Sequence, residues 1–162
     1  MNIFVLDKCP EVSAEMMCDK HIPKMVVESY QMLGSAVRRH GAVDSEMPLT
    51  QSGNPLKGGY KNHPCTKWTG ESRQNFNWLS MHAFCLCYEY SFRYGKTHAC
   101  QEGIIKLNDM RNMIPSLSLT PFALAMPEEF KSINAVDSYR SYYRTKTFAK
   151  WEKTRNAPFW WN

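Results

Sequence analysis

Four polar residues recur at helical spacing in "CDKHIPKMVVESYQML" (18–33): His21, Lys24, Glu28 and Gln31. Residues three, four and seven apart share one helix face, so His21 and Glu28 lie about two turns, roughly 10 Å, apart along one axis. A carboxylate between an imidazole and an ammonium on a rigid helix can move protons or stabilise a cation. The same spacing also suits a solvated helix edge with an ordinary Lys–Glu pair. A second group, His63, Lys67, Glu71, Arg73 and Asn75 beside Trp68, falls in "NHPCTKWTGESRQNF" (62–76). Arg73 and Asn75 there are suited to a phosphate or a base edge, and Lys67–Glu71 forms an i, i+4 pair. Cys18-x2-His21 and His63-x-Cys65 would suit zinc only if the two segments met. Their spacings match no zinc fingerprint, so neither metal nor cofactor is expected.

A third candidate lies near the end of the chain. The segment "YRSYYRTKTFAKWEKTR" (139–155) sets five aromatics among basic residues with a single acid. Cations neutralise phosphates and aromatic faces stack on bases. A helix with one aromatic core face and one charged solvent face would read the same way. The net charge of +5 over 162 residues is mild, so the clustering says more than the total. There is no Walker-type loop, G-x-G-x-x-G, G-x-S-x-G or H-E-x-x-H, which removes support for P-loop and α/β-hydrolase chemistry.

The elements that must position these residues read as helical. Residues 2–6, "NIFVL", suit a short strand or an extended arm. Pro10 and Glu11 suit a helix start. A helical stretch over 11–39 should be kinked or split at Pro23 and stopped by "RRHG". Residues 41–64 have no period and are rich in Gly, Pro, Ser and Asn, which marks a long loop of the kind that is often functional or mobile. A second helical stretch, 66–94, is apolar on nearly every side from Phe76 and should be central and buried. A shorter helix is expected over 99–113, and an irregular segment over 114–130. A last helix is expected over 137–153, capped by Asn134 or Asp137. The fold class is mainly α, one compact domain (1–162) of three or four helices with long irregular connections.

No apolar run approaches the ~20 residues of a membrane span, and the start lacks a signal-peptide pattern. Six cysteines without a secretory signal read as reduced thiols. A cytoplasmic monomer is expected.

Several segments carry a resemblance. "MNIFVLD", "CDKHIPKMVVESYQML", "NHPCTKWTGESRQNFNWL", "CYEYSFRYGK" and "SYRSYYRTK" resemble a family of uncharacterised tailed-phage proteins along nearly the whole chain. More remotely, the order of elements resembles the phage pyrimidine-dimer DNA glycosylases, small all-helical enzymes that are also AP lyases. Their Asp-x-His followed seven residues later by a catalytic Glu corresponds to Asp19-Lys20-His21 and Glu28. Their P-x-E-F segment corresponds to Pro127-Glu128-Glu129-Phe130, and their aromatic–basic end to Tyr139-Arg140-Ser141-Tyr142-Tyr143-Arg144.

The resemblance implies an N-glycosidase acting on damaged or modified pyrimidines in DNA, within an infected host cell. A chain-start α-amine would attack the sugar C1′ to form a Schiff base. Free α-amines titrate near pH 8, so a neutral fraction exists at pH 7. Glu28 would be the carboxylate, and His21 would orient backbone or substrate. Residue 2 is Asn, bulky enough to retain Met1, so the amine is Met1's unless processing exposes residue 2. Lys20 or Lys24 as the amine, or water as the nucleophile, are the alternatives. DNA contacts are expected from Lys20, Asn62, His63, Trp68, Arg73, Asn75, Arg140, Tyr143, Arg144 and Lys146. Two other functions fit the residues: a non-catalytic nucleic-acid-binding or host-takeover protein, and an enzyme acting on a free nucleotide or other small substrate.

Overall fold

A computed structural model describes all residues, 1–162. The chain is all-helical: α1 (Pro10–Glu15), α2 (His21–Arg39), α3 (Pro64–Glu71), α4 (Arg73–Tyr94), α5 (Gln101–Asp109) and α6 (Ala135–Tyr143), with three short 3₁₀ turns. The only β pairing is an isolated bridge between Leu49 and Pro55. No helix is long and apolar enough to cross a membrane.

Helix α4 is the central post, packed by α1, α2, α3 and α5. It begins at Ser72, whose hydroxyl accepts from the Asn75 amide, and ends at Gly95 in the left-handed conformation, which glycine adopts without a Cβ penalty. Its burial is less complete than its sequence implies. Phe76, Leu79, Ala83 and Leu86 are buried, but Met81, Tyr88 and Phe92 face outward. The two long helical stretches read from the sequence each divide. The 11–39 stretch opens at residues 16–20, and Pro23 falls in the first turn of α2, where its missing N–H costs nothing. The 66–94 stretch breaks at Ser72, which is extended. Six helices therefore replace the expected three or four. The last helix is capped by the Asn134 side chain and ends at Tyr143, ten residues short of the expected end, because turns stabilised by 3₁₀-type bonds follow it.

Residues 2–6 form a buried extended arm rather than a strand. The Asn2 side-chain oxygen accepts from the Ile3 and Phe4 amides, and its amide group donates to Ala125 O. Phe4 is held at φ 38, a left-handed backbone rarely tolerated by a bulky residue. Its ring is fixed by stacking on His21 with centroids 4.9 Å apart and by an edge contact with Tyr143. The arm is thereby wedged between α2 and α6, and it delivers the chain start to α2.

An ion-pair network closes the opposite flank. The Arg93 guanidinium is fully buried and donates to Glu89 Oε2, Asp19 Oδ1, Met17 O and Glu15 O. Asp19 Oδ2 accepts from the Glu152 and Lys153 amides. Arg155 reaches both Glu89 and Glu15. The segment after α6 is thus stapled to the turn that starts α2.

Candidate active site

The arm, the first turns of α2 and the segment after α6 enclose a cleft of about 200 Å³ lined by Met1, Asn2, Phe4, His21, Lys24, Met25, Glu28, Tyr142, Lys146 and Phe148. Glu28 is its one carboxylate. The Met1 α-amine lies 3.8 Å from Glu28 Oε2, the Asn2 N–H donates to the same oxygen at 2.8 Å, and Lys24 Nζ is 3.8 Å from Oε1. The Glu28 side chain is 13% exposed, open enough to meet a ligand and enclosed enough to be aimed. The Met1 side chain is anchored through a contact between its sulfur and the Thr66 hydroxyl.

His21 is buried, and its Nδ1 is 2.7 Å from the Tyr143 hydroxyl. That hydroxyl already accepts from the Cys18 amide, and burial raises its pKa well above the ordinary value. It stays protonated, and its one hydrogen has Nδ1 as its acceptor. The His21 pKa is lowered to about 4, first by burial and then by Lys24, Lys146 and Lys20. The ring is therefore neutral at physiological pH with its proton on Nε2, a donor available to the cleft. Lys24, Lys146 and the Met1 amine make the cleft cationic around its single carboxylate.

Two residues that sequence spacing did not single out complete the wall. Phe148 meets His21 edge-on at 5.2 Å and carries the Lys20 ammonium over its face. Tyr142 lies 3.8 Å beneath Lys146 Nζ. Their signal was the aromatic–basic composition of 139–155, which marked the segment but not which faces turn to the site.

The expected DNA contacts divide. Lys20 and Asn62 are exposed, as is Lys24 of the catalytic candidates, and Lys146 is half-buried over Tyr142. His63 caps α3 by accepting from Cys65 N; burial, with the chain-start amine, lowers its pKa, while Glu28 raises it. Six others make contacts within the fold. Trp68 is buried edge-on against Trp78, with Nε1 turned to Thr120 O. Asn75 is buried and holds Trp68 O and Thr120. Arg73 donates to the carbonyls of residues 112 and 114. Tyr143 is buried beneath His21. Arg140 donates to Leu6 O and pairs with Asp7, and Arg144 donates to Trp160 O. Cys18, His21, His63 and Cys65 do not converge, and nowhere do three His, Cys, Asp or Glu side chains gather as metal ligands.

An amine and a carboxylate are thus paired in a small cleft with lysines around them. The family model described as pyrimidine dimer DNA glycosylase matches residues 1–102, more than half of the chain. The chain belongs to that family. No curated protein and no solved structure matches it. The family match contains Met1, His21, Lys24 and Glu28 but ends before Tyr142, Lys146 and Phe148. One wall of the cleft is therefore carried by the part of the chain beyond the family's matched region.

Proposed function

We propose that the protein is a DNA N-glycosylase for damaged or modified pyrimidines, with AP lyase activity. The Met1 amine attacks C1′, a C1′–N bond to the enzyme forms, and the glycosidic bond to the base breaks, the base leaving with the electron pair and taking up a proton. The amine loses a proton as it bonds. Opening of the sugar ring breaks C1′–O4′, with a proton delivered to O4′, and leaves a protonated imine. Loss of a C2′ proton then expels the 3′-phosphate, and water releases the cut strand and restores the amine.

Glu28 is the group placed to take the amine's proton and return it to O4′, and its charge stabilises the cationic sugar. His21 Nε2–H donates to a sugar or phosphate oxygen. Lys24 and Lys146 hold flanking phosphates. Every group named comes from one chain, which suits a monomer. The observation that carries the reading is the Met1–Glu28 pair within a cationic cleft.

The test is borohydride trapping on duplex DNA with an abasic site, followed by peptide mass mapping. An adduct on the Met1 nitrogen is expected, and two residues added ahead of Met1 should remove it. Loss of Met1 would leave the Asn2 nitrogen as the α-amine, 2.8 Å from Glu28 Oε2, and the adduct mass separates the two cases. Base release without an adduct would make water the nucleophile. Neither base release nor incision on any damaged pyrimidine would end the reading.

A further inference from the structure

The loop between α2 and α3 carries an aromatic ring that nothing in the fold uses. Tyr60 is 69% exposed, and no aromatic ring, cation or hydrogen-bonding side chain engages it. Its backbone is nevertheless held at φ 49, a conformation that is costly for a bulky residue.

The loop that imposes this conformation is firmly seated. Gly58, at φ +78, lies so close to α2 that a Cβ there would come within 2.3 Å of Ser35 Oγ and 2.6 Å of its backbone nitrogen. Ser35 Oγ accepts from Gly59 N at 2.8 Å and is 2.9 Å from Gly59 O, to which it donates. Gly59 rests against Gln31, one turn along α2 from Glu28. Just beyond the loop's far end, the Thr66 hydroxyl of α3 meets the Met1 sulfur. Tyr60 thus stands on a rigid support seated against α2 one turn beyond Glu28.

The surroundings identify the ligand. Beside Tyr60 is a cleft of about 340 Å³ lined by Ser35, Arg38, Arg39, Lys57, Lys61 and Asn62, with no apolar side chain. Asp44 pairs with Arg38 and Lys57, whereas Arg39 and Lys61 have no carboxylate partner; one Arg39 N–H donates to Lys61 O, and the rest of its donors face no carboxylate. An exposed ring flanked by phosphate-binding cations is the combination that engages stacked bases and their backbone. Resting on the glycosylase reading, we propose that Tyr60 is a wedge that enters the duplex beside the reacting nucleotide. Arg39 and Lys61 hold the adjoining phosphates. Ring stacking replaces the base stacking lost when the nucleotide leaves the helix.

The test uses duplex DNA with a tetrahydrofuran abasic-site analogue and 2-aminopurine opposite it, with the wild type and Tyr60→Ala, Tyr60→Phe and Glu28→Gln variants. Wild type, Tyr60→Phe and Glu28→Gln should bind and raise the fluorescence. Tyr60→Ala should leave the fluorescence low and bind about tenfold or more weakly, the loss typical of one stacked base, with its melting temperature unchanged. Arg39→Ala and Lys61→Ala should each lower the slope of log K against log salt by about one. A Tyr60→Ala protein that matches wild type in signal and affinity overturns the wedge, as does a wild type that gives no signal. Failure of the glycosylase reading looks different: the Tyr60-dependent signal persists while no base is released and no adduct forms.

Discussion

The backbone N–H of Asn2 donates to Oε2 of Glu28 at 2.8 Å, across 26 residues of sequence. This bond ties the first residues of the chain to the third turn of α2, and the Met1 amine stands 3.8 Å from the same oxygen as a consequence. The strain at Phe4 belongs to the same arrangement. A left-handed Phe is tolerated because its ring is fixed against His21 and Tyr143, and the turn it makes directs the arm back along α2. Local strain is here exchanged for a chain start of defined position.

Glu28→Gln should abolish turnover and keep the fold. A glutamine oxygen still accepts from Asn2 N–H, but it neither holds a proton nor stabilises a cation. Loss of a positioned acid–base group typically costs 10²–10⁴-fold. Incision assays on abasic duplexes measure the loss, and a urea midpoint within about 1 kcal/mol of wild type shows that the fold persists. A variant that unfolds would instead make Glu28 the anchor of the arm and nothing more.

Much of this was legible in the sequence. The period of His21, Lys24, Glu28 and Gln31 placed them on one helix, and three of the four line the cleft. The cap of the last helix, at Asn134 of the two candidates, and the end of the central helix at residue 94 were local signals and fell where expected. Non-local commitments were not legible. Arg73, Arg140 and Arg144 look like phosphate ligands by type, yet the carbonyls they satisfy are contributed by residues 112 and 114, Leu6 and Trp160. Nor can periodicity show that the chain turns at Tyr143 and brings Lys146 and Phe148 back over His21. Asp19 stood out only as part of Asp-x-His. The structure makes it a clamp that holds Arg93 and the amides of residues 152 and 153.

Arg93→Met should be among the most damaging substitutions away from the cleft. It removes four hydrogen bonds made by a fully buried guanidinium and leaves Glu89 and Asp19 short of a counter-charge. Breaking a buried pair from one side costs about 3–5 kcal/mol, a large part of the 5–15 typical of a domain. Urea unfolding should show that drop, with Arg93→Lys losing less. Since the same network staples residues 150–153, hydrogen exchange in that segment should quicken even under conditions where Arg93→Lys remains folded.

Gly58→Ala tests the seat of the exposed loop. The added methyl would meet Ser35 Oγ and backbone, and the residue would still need φ +78. A cost of about 1–3 kcal/mol is expected, with Tyr60 displaced and lesion binding reduced as in Tyr60→Ala. Gly53→Ala has the same sign of φ but no neighbour within 4 Å of its Cβ, so it should lose less stability and keep full binding.

The protein should lose stability as the pH falls from about 6.5 to 4. Burial lowers His21 and His82 to about 4 in the folded state, against about 6.5 in an unfolded chain. Between those values the unfolded chain binds more protons, so each fall in pH favours it. The contribution is fully present above pH 6.5 and gone below 4. Urea midpoints at pH 7, 5.5 and 4.5 should decline accordingly. His82→Gln, which can still donate to Pro10 O in place of the ring, should flatten the decline. An unchanged slope would mean that His82 does not carry it.

Tyr143→Phe isolates the positioning of His21. The ring keeps its packing, but the Cys18 amide loses its acceptor and His21 Nδ1 loses its donor. Leaving a buried donor unpaired costs about 1–3 kcal/mol, which a melt should show. The informative readout is the imidazole itself. In the wild type, nitrogen chemical shifts should report the proton on Nε2, fixed there by the Tyr143 hydroxyl. In Tyr143→Phe the tautomers should mix, and turnover should fall by roughly fivefold to tenfold, the worth of one neutral hydrogen bond, while DNA affinity set by the lysines stays near wild type. If the shifts place the proton on Nδ1 in the wild type, the ring presents an acceptor to the cleft, and His21 would then receive a hydrogen bond from the substrate rather than give one.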